Sequence, residues 1–115
     1  MNNFRDLKVW EKAIDLAEVV YESTRKFPDT EKFGLISQMQ RAAISISSNI
    51  AEGSGRQTKP DFKHFLSIAL GSAYELESQI LIAQRLKYIT AEKSNELVEK
   101  MQEIQKMTYT LRSKI

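Results

Sequence analysis

The sequence predicts an all-α protein, an up-down-up-down antiparallel four-helix bundle with residues 1–115 as one domain. Three observations carry this. Gly and Pro are scarce and sit at three breaks. The segments between the breaks are long and rich in helix formers. Their apolar residues recur at steps of three and four, with no strand-like alternation and no internal repeat. The length suits a single core, and short connections make consecutive helices antiparallel.

The first helix is expected over 6–26. Trp10, Ile14, Ala17, Tyr21 and Thr24 share a face that Val9, Ala13, Leu16 and Val20 widen. Pro28 in "FPDT" ends it. The second helix is expected over 30–52, with Leu35, Met39, Ala42, Ala43, Ile46, Ile50 and Gly53 toward the core. "GSGRQTKP" separates it from the third, expected over 60–87. There Thr58 and Asp61 resemble a capping box, and Pro60 fits a first helical turn. Phe62, Phe65, Leu66, Ala69, Ala73, Leu76, Ile80 and Ala83 face inward. Thr90 is the expected N-cap of the fourth helix, over 91–114. Its heptad seam is Leu97, Met101, Ile104, Thr108, Leu111 and Ile115.

The two middle helices carry more apolar surface than one core uses. Ile44 and Ala51 on the second, and Ile68, Ile82 and Leu86 on the third, point away from the core with Gly71, Ser72, Glu75 and Gln79. A helix apolar on two sides is buried on two sides, so this stripe is expected to meet another copy of the chain. A polar stripe, Gln38, Arg41, Ser45, Asn49 and Glu52, runs beside it. It is expected to be largely removed from water at the margin of core and subunit interface. Glu52 is expected to pair with Arg56, Arg41 with Glu75, Glu77 or a neighbouring subunit, and Asn49 across helices. Ala42, Ala43 and Gly53 are expected to let the third helix approach closely at Ala69 and Ala73.

Composition narrows the chemistry. The net charge is +2, from 17 basic and 15 acidic residues, and there is no cysteine. Disulfides, thiolate nucleophiles and zinc–thiolate sites are therefore excluded, and the missing cysteine suits the cytoplasm. The lone histidine, His64, rules out a di-iron site built on paired Glu-x-x-His motifs. No phosphate-binding loop motif occurs. "EGSGR" reads as a helix C-cap and linker, with a small anion-binding nest as the alternative. The serines have helix-packing explanations, and a Ser–His–Asp arrangement stays open. No enzyme activity, metal or cofactor is expected. No apolar run reaches the roughly 20 residues of a membrane span, and no secretory signal pattern opens the chain. A basic cluster, Arg56, Lys59, Lys63 and His64 with Arg85 and Lys87, is the candidate nucleic-acid site.

"FRDLKVWEKAIDLAEVVYE", "FGLISQMQRAAISISSNIAEGSGR" and "FLSIALGSAYELESQILIAQRLKYI" resemble, in that order, the 23S ribosomal RNA intervening-sequence proteins over about residues 4–112. The most specific stretches are Ser45–Gly53 and Ala69–Glu77. The resemblance implies a four-helix bundle assembled as a ring-like homopentamer. It also implies a link to intervening sequences of 23S rRNA genes. A related branch, the accessory variability determinants of diversity-generating retroelements, binds nucleic acid and a reverse transcriptase. The family pattern usually has Pro where this chain has Ser47, which keeps its N–H. The expected function is a non-enzymatic oligomer associated with RNA. The alternative is a protein-binding scaffold or accessory subunit, for example to a reverse transcriptase, without nucleic-acid contact.

Overall fold

The computed structural model describes residues 3–115. Among them are four α-helices and no strand: α1 (Lys8–Thr24), α2 (Leu35–Ser54), α3 (Lys59–Arg85) and α4 (Ala91–Ser113). Each helix packs on the next, and α1 closes the square on α4. Side-chain pairs give the direction. Ser45 meets Ser72 while Gly53 lies against Phe62 and Phe65, so α2 and α3 are antiparallel. Gln105 bonds Glu77 and Arg112 bonds Ser67, so α3 and α4 are antiparallel too. The bundle measures 43 × 24 × 19 Å.

Local chemistry sets most helix ends. Thr58 Oγ1 accepts from Asp61 N at 3.2 Å, with Pro60 in the first turn, and Thr90 Oγ1 accepts from Lys93 N at 3.1 Å. α2 starts later than expected. Residues 29–31 make one 3-10 turn, and Gly34 breaks the chain before Leu35. Glu31 then caps α2 through its side chain, accepting from Leu35 N at 3.1 Å and from the Tyr88 hydroxyl at 2.9 Å. α3 ends in a Schellman arrangement: Lys87 N bonds Gln84 O, Tyr88 N bonds Ala83 O, and Lys87 takes a φ of 64°. Ser47 is buried, bonds back to Ile44 O, and lies within an unbroken α2.

The core follows the expected faces of α2 and α4 and, with one exception, of α3. That exception is Phe65, half-buried at the rim with the Arg56 guanidinium 4.7 Å from its ring centre. On α1 the residues expected to widen the inward face are its centre, and most of the first stripe lies at the rim. Val9, Ala13, Leu16, Val20 and Thr24 are buried, whereas Trp10, Ile14 and Ala17 are half-buried and Tyr21 is exposed. The reason is rotation. Both stripes have helical spacing, and α1 turns the aliphatic one inward while Trp10 packs edge-on against Phe4 at 5.0 Å. Gln79, expected on the outer side, is buried with its Oε1 unpartnered. It lies two turns after Ser72, on the line that faces α2.

Candidate nucleic-acid interface

The bundle places the candidate cations at two ends. Arg56, Lys59, Lys63 and His64 surround the α2–α3 connection. Arg85 and Lys87 lie at the far end of α3, about 40 Å away at about 1.5 Å per residue. Those two groups form no single surface. The α2–α3 end instead recruits residues from other helices. Arg112 Nη1 donates to Ser67 Oγ at 3.1 Å, which holds the end of α4, and so Lys114, beside the start of α3. Arg5, just before α1, lies at the same end by topology.

Within this group Arg56 is already engaged. Its Nη2 pairs with Glu52 at 3.0 Å, the expected pairing one turn back. Lys59, Lys63 and His64 are exposed, and among the described residues they make no ion pair. The His64 ring sits edge-on to Phe65 at 5.6 Å. The carboxylates at this end include Asp6, Glu11, Glu52 and Asp61.

The polar stripe on α2 differs from expectation inside the bundle. Gln38, Arg41 and Glu52 are exposed, and Arg41 has no ion pair among the described residues. Asn49 is half-buried, but its amide donates to Ser45 O (2.7 Å) and Ser45 Oγ (3.0 Å) of its own helix rather than across helices. The crossing bond belongs to Ser45, whose Oγ lies 2.9 Å from Ser72 Oγ. The stripe is a line along the helix, and only its α3-facing edge is covered. Glu77, offered as a partner for Arg41, accepts from Gln105 of α4.

The outer apolar residues are open. Ile44, Ile68, Ile82 and Leu86 are between 39 and 49% exposed, and Ala51 is half-buried. They form two patches. Ile44 lines a groove with Ile14, Ala17 and Tyr21 of α1, while Ile68, Ile82 and Leu86 lie on α3. The exposed α2 residues Arg41, Ser48 and Glu52 run between the patches. Gly71 belongs to the α3 side, and a Cβ there would meet nothing within 4 Å. The close approach expected of Gly53 is real but has other partners. Its missing Cβ would lie 2.7 Å from Phe65 Cβ and 3.0 Å from Phe62 Cδ1. Sequence reading also missed Tyr74 and Tyr109, both more than half exposed. Their signal was a bulky aromatic off the core face.

The 23S rRNA-intervening sequence protein family matches residues 5–110. The chain belongs to that family. A solved structure supports the fold of this family member. It is a protein of unknown function from the S23 ribosomal protein family of Bacteroides thetaiotaomicron, determined at 1.70 Å. The two are 27% identical, with a TM-score of 0.84 over 91% of this chain and 95% of that one. No curated protein matches the chain. Among the described residues no group of acidic or histidine side chains could hold a metal, and no helix is long and apolar enough to cross a membrane.

Proposed function

We propose that this family member is a non-catalytic, self-assembling bundle that binds RNA through the cations of its α2–α3 end. The observation that carries the reading is the exposed Lys59, Lys63 and His64, without ion pairs among the described residues, with Arg112 held on the same helix through Ser67. Phosphate contacts from such side chains supply sequence-independent affinity. Copies of one modest cluster repeated around an assembly multiply it. Arg85 and Lys87 form no part of this surface.

Self-association rests on the two open apolar patches and on Gly71, an exposed mid-helix glycine with no neighbour inside the bundle. A homopentameric ring is the assembly that the family resemblance supplies. Ile68→Glu should weaken it, because an unpaired carboxylate would enter the contact. Light scattering that finds wild-type protein monomeric at micromolar concentration overturns this part.

The RNA reading is tested by titrating generic single-stranded RNA between 50 and 200 mM salt. Affinity should fall steeply, and Lys59→Gln with Lys63→Gln should flatten the log–log slope by about 1.4 per subunit, at about 0.7 for each phosphate that is no longer neutralised. Absence of binding at low salt overturns it and favours a protein-binding accessory role.

A further inference from the structure

We propose that the groove between α3 and α4 is a base-stacking track for single-stranded RNA, continuing from the cation cluster at the α2–α3 end. This rests on the RNA-binding reading and specifies its ligand. Tyr74 and Tyr109 are 57% and 56% exposed and line one groove of about 720 Å³. Two inter-helix bonds bracket them. Tyr74 lies between Ser67 and Glu77 on α3, and Tyr109 between Gln105 and Arg112 on α4, and those residues are the bonded pairs. The rings thus occupy one stretch of the seam from opposite walls. Neither phenol hydroxyl has a hydrogen-bond partner among the described residues, so the rings are held by their helices alone.

Cations gather where the groove approaches the α2–α3 end, beyond a lining that holds Lys106, Glu99 and Glu103. The Arg112 guanidinium sits 5.3 Å from the Tyr109 ring centre, and Lys106 is one turn before Tyr109. Lys63 is on the same side of α3 as Ser67 and Tyr74, about 16 Å from Tyr74 along the helix. Of the groove's two acidic side chains, Glu103 is tied to Lys12 at 3.1 Å, which leaves Glu99 unpaired among the described residues. Phosphates meet Lys63, Lys106 and Arg112, while unstacked bases lie on the two rings. Aromatic stacking tolerates any base, and a duplex, whose bases are already stacked, gains nothing from it.

The test compares Tyr74→Leu/Tyr109→Leu with wild type on a single-stranded oligouridine and on a blunt RNA duplex of equal charge. Circular dichroism confirms that the exposed substitutions leave the fold intact. Affinity for the single strand should fall on the order of tenfold or more, with an unchanged salt slope. Duplex affinity should not change, and Tyr74→Phe/Tyr109→Phe should retain single-strand binding. Equal losses on both RNAs, or no loss on either, overturn the stacking track while leaving the phosphate surface standing. A changed assembly size by light scattering assigns the groove to a second copy of the chain and also overturns it. Wild-type protein that binds neither RNA overturns both readings.

Discussion

Two glycines in this bundle should respond to the same substitution with opposite sign. Gly53 and Gly71 both lie inside helices, where Gly→Ala gains about 1 kcal/mol of helix propensity. At Gly71 nothing opposes the gain, since a Cβ meets no atom within 4 Å. At Gly53 the new Cβ would sit 2.7 Å from Phe65 Cβ and 3.0 Å from Phe62 Cδ1. A Cβ cannot rotate away, so α2 and α3 must move apart. Overpacking of this kind costs about 1–3 kcal/mol, so after the propensity gain Gly53→Ala should lose up to about 2 kcal/mol net. Near this chain length 1 kcal/mol corresponds to about 4 °C in Tm. Gly71→Ala should therefore melt about 4 °C higher and Gly53→Ala up to about 8 °C lower. Melts followed by circular dichroism at equal, low protein concentration keep self-association from contributing. A Gly53→Ala variant stabilised as much as Gly71→Ala would refute the close approach. If Gly71 meets a second copy, Gly71→Ala should in addition weaken assembly while stabilising the separate bundle.

Other variants probe single interactions. Lys87 holds a left-handed backbone at φ 64°, and Lys87→Gly should stabilise by about 1 kcal/mol, read as a higher urea midpoint at constant m. Ala43 is fully buried, and Ala43→Leu should cost about 1–3 kcal/mol, with an unchanged melting temperature counting against its placement. Asn49→Ala should stay within about 0.5 kcal/mol, because its amide bonds only its own helix; a larger loss in denaturant titration points to an inter-chain partner. The bond to Glu31 raises the Tyr88 phenol above its ordinary 10.0. The folded state then keeps a proton that the unfolded state releases near pH 10, so this stabilisation is complete below pH 10 and is lost above it. Tyr88→Phe should remove that alkaline component from stability measured against pH.

The sequence by itself determined the number of helices, their approximate ends and the inward faces of α2, α4 and most of α3. These depend on local chemistry. Thr58 and Thr90 cap the backbone a few residues away, Pro60 suits a first turn, and apolar spacing of three and four defines a stripe whatever it packs against. The same locality made the Glu52–Arg56 pair legible. Only the tertiary structure decided matters that depend on how helices are rotated and registered. α1 has two stripes of equal periodicity, and packing against its neighbours selected Val9–Ala13–Leu16–Val20 over Trp10 and Tyr21. Gln79 looked peripheral yet is buried, and α2 gave up its first turn to Glu31, which also binds Tyr88, 57 residues away. The candidate cations, one group along the chain, were divided between opposite ends by the length of α3, and Arg112 joined one of them through Ser67. Tyr74 and Tyr109 became neighbours for the same reason. Periodicity fixes which residues share a face of one helix, whereas inter-helix register alone fixes which residue stands opposite.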